Sequence, residues 1–347
     1  MPDQGRRASG PSRRASGGSA AERPEPHERG VAGGPPRSDD GSGRADVRHP
    51  RTADGAAGTL RDLVTSVAAL LAHGVARGEY ADPEREAREL VAALHDQPRF
   101  WAALHPEHAV TLETQRDALE AARRRVAGAP LAYAVRRANF RHLTLHVDER
   151  VLIPRPETEQ LVEIALSLVG DRVGGVAVDV GTGSGAVALA LASEGRFDRV
   201  IASDVSRDAL DVAARNRDAL ASGVATPVEL RHGSLLDPVP ETGLRCVVSN
   251  PPYIAFHEAA ALPPSVRDWE PSVALYSAGD GLSLTARLVR QAAERLDAGG
   301  VLALEVDARR AALVEELVGR DARFAEVRVT LDLFGRERFV TARRRAS

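Results

Sequence analysis

The 347-residue chain balances 46 basic residues, all Arg, against 49 acidic ones for a formal net charge of -3, so overall charge gives no reason to expect a polyanionic partner. Hydrophobic residues make up 43% of the chain, enough for a globular core, yet no run of about 18 apolar residues exists to span a membrane. The single cysteine, Cys246, excludes an internal disulfide and a cysteine-based metal cluster; it reads as a small apolar residue buried in a strand and fits a reducing cytoplasm.

Residues 1–59 contain no Leu, Ile, Phe, Tyr or Trp and are filled by Gly, Pro, Ser, Arg and Asp. Such a segment buries too little apolar area to offset chain entropy, so a disordered tail is expected. It has no apolar signal core, and its acids argue against a transit peptide. Two Arg-Arg-Ala-Ser repeats, Arg6–Ser9 and Arg13–Ser16, look like basophilic kinase sites but read more simply as arginine-rich low complexity. Folding begins at Leu60, where Leu60, Leu63, Val64, Val67, Leu70 and Leu71 follow the spacing of one helix face. Asp82-Pro83-Glu84 supplies a cap, a first-turn proline and an acid to a second helix with Ala87, Leu90, Val91 and Leu94 on one side. A third runs from about Leu112 to Val126 and stops at Gly128-Ala129-Pro130. Together these predict a small helical domain over 60–130.

From Asn139 to Val151, Phe140, Leu143, Leu145 and Val147 alternate with polar residues as in a β-hairpin, which makes 131–155 a linker. In Leu152-Ile153-Pro154-Arg155-Pro156-Glu157-Thr158-Glu159 two prolines fix a rigid turn into a helix; the run reads equally as an ordinary linker or as a loop lining a site. Beyond Gly175 short apolar strands (176–180, 199–203, 227–231, 244–249, 300–305, 325–330, 337–342) alternate with helices near 185–194, 207–221, 281–297 and 308–319. This is the pattern of an α/β, doubly wound, Rossmann-like sheet of seven mostly parallel strands, occupying 156–347, whose ligands sit at the carboxyl ends of the strands.

Two sequence features fall at such ends. The first is the turn Asp179-Val180-Gly181-Thr182-Gly183-Ser184-Gly185, whose spacing does not match the dinucleotide fingerprint but lets backbone approach a bulky ligand. The next strand ends in Asp204, placed to accept both ribose hydroxyls of an adenosine, or else to cap the following helix. The pair fits S-adenosyl-L-methionine better than NAD. The second is Asn250-Pro251-Pro252-Tyr253. A planar amide or amino nitrogen is a poor nucleophile because its lone pair is delocalised, and an enzyme that methylates it must hold its N–H bonds. The Asn250 side-chain carbonyl and the Pro251 backbone carbonyl can accept them, and the prolines stiffen the turn.

These residues, with the 152–159 run, Trp269-Glu270-Pro271 followed by Gly281-Leu282, and Asp332-Leu333-Phe334-Gly335-Arg336 with Arg338, resemble the HemK/PrmC-type release-factor glutamine methyltransferases from about Leu60 to Arg343. The resemblance implies a class I methyltransferase domain joined through a β-hairpin to a helical substrate-recognition domain. It further implies N5-methylation of the glutamine in the Gly-Gly-Gln loop of class 1 peptide chain release factors, in the cytoplasm, by a monomer that needs neither metal, membrane nor nucleic acid. Gly181, Thr182, Gly183, Ser184 and Gly185 would then shape the cofactor floor, with Asp179 as a methionine-amine contact or a turn carboxylate. Asp204 would hold the ribose, Ser234 and Leu235 would border the adenine, Asn250 and Pro251 would accept the amide N–H bonds within the rigid Asn250-Pro251-Pro252-Tyr253 turn, and Tyr253 would pack on the amide plane.

Three positions depart from the family pattern: Arg136 stands where a glycine follows Pro130 and Tyr133, Ser234 where an acid lies near the adenine, and Asp307 where Glu-Ile-Gly becomes Glu305-Val306-Asp307. Two other substrates remain open. A glutamine on a ribosomal protein poses the same chemistry, although that group of enzymes tends to carry Pro-Arg-Ser in place of the 154–156 run. An amino group on a nucleic-acid base does so too, but too few residues follow Tyr253 to finish the sheet and add a target-recognition domain.

Overall fold

The computed structural model describes residues 56–75, 82–277 and 282–346; the expected disordered tail, with both Arg-Arg-Ala-Ser repeats, lies outside these residues except for its last four positions, and Gly281 lies outside them as well. Those four positions, Ala56–Thr59, form strand β1 and pair antiparallel with β2 (Ala109–Thr111). Backbone pairing needs no apolar side chain, which is why composition alone placed the tail boundary a few residues late. Helices α1 (Leu60–Val75), α2 (Pro83–Leu94), α3 (Trp101–Leu104) and α4 (Leu112–Val126) follow, with Asp82 accepting from Arg85 N and Thr111 from Thr114 N at the α2 and α4 N-termini. Leu60, Leu63, Val67 and Leu71 pack against Leu90, Val91, Ala118 and Ala122, a core separate from those of the sheet.

The linker is more structured than alternation suggests. Leu131–Val135 is a helical turn, α5, and the hairpin is β3 (Arg137–Phe140) with β4 (Leu143–His146), earlier than the expected 139–151. Val147 and Val151 continue the buried alternation because they pack around Tyr133, Val212 and Trp269, without pairing to a strand. Tyr133 donates its hydroxyl to the Val151 carbonyl at 2.5 Å, tying α5 to the exit of the hairpin.

The remaining elements are α6 (Pro156–Val169), β5 (Val176–Val180), α7 (Ala186–Glu194), β6 (Arg199–Asp204), α8 (Arg207–Leu220), β7 (Val228–His232), β8 (Leu244–Ser249), β9 (Ile254–Ala255), α9 (Pro264–Arg267), α10 (Ser272–Leu275), β10 (Tyr276–Ser277), α11 (Ser283–Arg295), β11 (Leu296–Glu305), α12 (Ala311–Gly319), β12 (Phe324–Leu331) and β13 (Glu337–Arg344). Seven of the strands form one sheet in the order β12-β13-β11-β8-β5-β6-β7, in which only β13 runs against its neighbours. Central strands are buried nearly throughout, as expected when helices cover both faces. Leu161, Val162 and Leu189 pack on one face and Leu288, Val289 and Val314 on the other. Cys246 is fully buried in β8, and its thiol is pushed up to about 12 by burial. Among the described residues no helix is long and apolar enough to cross a membrane.

Candidate active site

Parallel pairing puts the ends of β6, β5, β8 and β11 side by side, with Ser203 beside Val180, Val180 beside Ser249, and Ser249 beside Leu304. The residues that follow these positions therefore meet at one edge of the sheet: the glycine turn, Asp204, Asn250 and Glu305. A cavity of about 260 Å³ opens there, walled by Gly181, Gly183, Asp204, Ser234, Leu235, Asn250, Pro251 and Pro252 together with Leu152, Ser206 and Tyr276.

The three glycines of the turn do different jobs. All have positive φ (76°, 54° and 85° at Gly181, Gly183 and Gly185), where a side chain is disfavoured. A Cβ at Gly181 or Gly183 would meet no protein atom within 4 Å, so these two leave room for a ligand. A Cβ at Gly185 would sit 3.3 Å from Leu189 and 3.4 Å from Ala213, so this one lets α8 pack close. Asp179 lies beneath the turn, fully buried, accepting from Thr182 Oγ1 at 2.6 Å and Ala188 N at 3.1 Å; burial pushes its carboxyl up to about 7. Thr182 and Ser184 are buried too, and with Asp179 and Gly185 they brace the turn without lining the cavity. The bonds that Asp179 makes are those of a turn carboxylate.

Asp204 reaches the cavity. Its two oxygens accept from Gly183 N and Ser206 N, both at 2.9 Å, and burial raises its pKa above the ordinary value. It is not the helix cap: Ser206 caps α8 by accepting from Ala209 N. Leu235 has φ of 54°, and its carbonyl is held by the Ser203 hydroxyl at 2.9 Å, which sets the wall beside Ser234.

On the opposite side, Asn250 leaves β8 half-buried and donates its Nδ2 to Thr158 Oγ1 at 3.2 Å, while Thr158 donates to Glu305 Oε2 at 2.8 Å. Burial pushes the Glu305 carboxyl up to about 7. Pro251 is buried on the cavity wall. Tyr253 does not line this cavity; it is half-buried, its hydroxyl accepts from Arg338 Nη1 at 3.5 Å, and burial raises it to about 12. Arg338 in turn lies 3.6 Å from the Asp332 carboxylate.

Sequence reasoning did not single out Thr158 and Glu305 as parts of the site. Both carried a signal: Thr158 lies inside the proline-fixed run, and Glu305 is an acid at the end of an otherwise apolar strand. That run does line the cavity, through Leu152, while Thr158 is buried behind Asn250, and Arg155 anchors the run by an ion pair to buried Glu270. The departures are also placed. Arg136 adopts φ 55°, ψ 34° at the end of α5, the left-handed conformation that a glycine favours. Ser234 lines the cavity, and Asp307 accepts from Arg309 N and Nε outside it.

The residues fit an adenosyl ligand: a side-chain-free backbone arc faces open space, and the half-buried Asp204 carboxylate stands one strand away with acceptor capacity left beyond its bonds from Gly183 N and Ser206 N. With the sheet order above, this defines a class I S-adenosylmethionine-dependent methyltransferase.

Family models match in two places, a Methyltransferase small domain over residues 160–266 and a PrmC N-terminal domain over 68–135. Among named relatives, the release factor glutamine methyltransferase of Cereibacter sphaeroides is 40% identical over 288 residues, covering 83% of this chain and 94% of the relative. That of Gloeobacter violaceus is 42% identical over 231 residues (66% and 80%), and that of Deinococcus radiodurans 37% over 285 residues (82% and 98%). The chain belongs to the release factor glutamine methyltransferase family.

Proposed function

We propose that the chain methylates N5 of the glutamine side chain in the Gly-Gly-Gln loop of a peptide chain release factor, with Asn250 and Pro251 as the acceptors of the two amide N–H bonds. The observation that carries this reading is the position of Asn250 and Pro251 on the wall of the same cavity that Gly181, Gly183 and Asp204 line. S-adenosylmethionine, when bound, supplies an electrophilic methyl on a sulfonium. Accepting both N–H bonds fixes the amide plane and turns the nitrogen toward that methyl, whereas Tyr253, which lies outside the cavity and is tied to Arg338, takes no part in holding the plane. Positioning of this kind accounts for several kcal/mol of barrier reduction, on the order of 7 or more in favourable cases. Asp204 holds the ribose hydroxyls, Gly181 and Gly183 form the floor under the methionine portion, and Ser234 and Leu235 border the adenine.

In this reading the 60–130 helices recognise the release factor, residues 131–155 couple them to the catalytic domain at 156–347, and the enzyme works as a cytoplasmic monomer without nucleic acid. The test is mass spectrometry of release factor incubated with enzyme and isotope-labelled S-adenosylmethionine. A labelled methyl on the Gly-Gly-Gln glutamine is the expected result. An unmodified release factor alongside a labelled ribosomal protein or nucleic acid would overturn the substrate assignment.

A further inference from the structure

The carboxamide of Asn250 has two ends of nearly equal shape. Only its oxygen serves a substrate N–H; its NH2 would confront one donor with another. Something must decide which end faces the cavity, and the decision is made behind the residue. Asn250 Nδ2 lies 3.2 Å from Thr158 Oγ1, and Thr158 Oγ1 lies 2.8 Å from Glu305 Oε2. Thr158 and Glu305 are both buried, and they come from different elements, the first turn of α6 and the last residue of β11.

A threonine hydroxyl has a single proton to give. When Glu305 is a carboxylate it can only accept, so the proton goes to Glu305 and the hydroxyl is left with lone pairs alone for its other neighbour. The neighbour must then present N–H. We infer that Thr158 and Glu305 are positioning residues for methyl transfer: Glu305 polarises Thr158, and Thr158 draws the NH2 of Asn250 away from the cavity so that Oδ1 points into it. This inference rests on the amide-clamp reading of Asn250 and adds what sets the clamp.

The chain of bonds reverses when Glu305 takes up a proton. The acid can then donate to Thr158, the hydroxyl proton turns toward Asn250, and the carboxamide is stable with its NH2 facing the cavity. The charged and titratable groups around Glu305 are Glu157 and Arg155 at the start of α6, Arg338 on β13 and Tyr253 after β8. Burial outweighs the two arginines and holds the Glu305 carboxyl near neutrality, so the reversal falls within reach of ordinary assay conditions.

Three variants test this with release factor as substrate. Thr158→Val keeps the shape of the side chain and removes the hydroxyl; turnover should fall about tenfold or more, in line with the loss of an orienting hydrogen bond, while cofactor affinity measured by calorimetry stays at the wild-type value. Thr158→Ser should restore most of the turnover. Glu305→Gln retains a carbonyl acceptor that cannot be lost by protonation, so the wild-type decline of turnover at acid pH should disappear from its profile.

Wild-type turnover in Thr158→Val, equal damage in Thr158→Ser, or an unchanged acid limb in Glu305→Gln would each overturn the inference. Should Thr158→Val fail to fold, the serine variant and the pH profile of Glu305→Gln still decide it. Asn250→Ala separates the two levels of argument: if it is inactive while Thr158→Val is fully active, the clamp stands and the relay falls, whereas activity in both removes the clamp itself.

Discussion

The two sides of the cavity are held by different means. On the cofactor side nearly every fixed position is a backbone one: Gly181 N and Thr182 N donate to the Ser203 carbonyl, both Asp204 oxygens are pinned by backbone N–H groups, and the Leu235 carbonyl is tied by Ser203. On the acceptor side the geometry passes from side chain to side chain, through Asn250, Thr158 and Glu305, and through Tyr253, Arg338 and Asp332. A surface built from backbone tolerates a change such as an acid replaced by Ser234, because the chain path carries the shape. A surface built from side chains fails when one atom is removed. The difference predicts separable phenotypes.

The largest effect belongs to the acceptor side. Asn250→Ala deletes the carbonyl proposed to orient the substrate amide but touches none of the backbone bonds of the glycine turn. Turnover should drop about a hundredfold or more with cofactor affinity unchanged, read by single-turnover kinetics beside calorimetry. Asn250→Asp keeps an acceptor and should retain more activity than the alanine variant. A matched loss of cofactor binding in Asn250→Ala would erase the distinction between the two sides. Asp204→Ala should do the reverse. It removes charge-assisted hydrogen bonds, each about 1.5–3 kcal/mol, and should weaken cofactor binding at least about tenfold while turnover at saturating cofactor changes far less. Unaltered affinity would mean that Asp204 serves only to join Gly183 and Ser206.

The same contrast explains what could be read in the sequence. Strand positions, the mostly parallel sheet and the placing of the glycine turn and Asn250 at strand ends were legible, because apolar periodicity and glycine spacing report backbone geometry directly. Inside the turn legibility stopped: Gly181, Gly183 and Gly185 look alike in sequence, yet two face the ligand space and one faces Ala213. Asp179 and Asp204 are both carboxylates after a strand, and only packing shows that one is sealed under the turn. Thr158 and Glu305 meet across more of the chain than any local pattern spans, so their contact was out of reach. The hairpin was recognised by alternation but misplaced, since alternation continues through Val147 and Val151, which are buried by packing after pairing has ended.

A smaller effect concerns the two carboxyls buried on either side, Asp179 and Glu305, each raised to about 7 from the ordinary carboxylate value. In the window between that ordinary range and about pH 7 the folded chain binds more protons than the unfolded one, so stability from these groups is fully present below the unfolded pKa and is lost as pH rises through 7. Carboxylates held low by arginines, such as Glu241 beside Arg231, act only at lower pH, whereas His95 and His146, lowered by burial, oppose the fall below the ordinary imidazole value of 6.5. The melting temperature of the cofactor-free protein should therefore fall between about pH 6.5 and about pH 8, where the histidines no longer titrate, and Glu305→Gln should flatten part of that fall. A rise over the same interval would contradict the burial of both groups.

The smallest expected effect lies away from the cavity, in the joint between α5 and the hairpin, and it isolates backbone geometry from side-chain chemistry. Arg136 holds a left-handed conformation at φ 55°, where an L side chain is strained by about 1–2 kcal/mol and a glycine is not. Its guanidinium contributes little in return, since its approach to Glu120 is 4.0 Å between two exposed side chains. Glycine gives back about 0.5–1 kcal/mol through the extra freedom of the unfolded chain, so Arg136→Gly should stabilise the protein by about 0.5–1 kcal/mol, a shift of a few degrees at most in a domain of this size. Turnover and cofactor affinity should not move, because the bond from Val147 N to the Arg136 carbonyl survives the substitution. A lower melting temperature would show that the arginine side chain, and not the shape of the chain at this joint, is what the position requires.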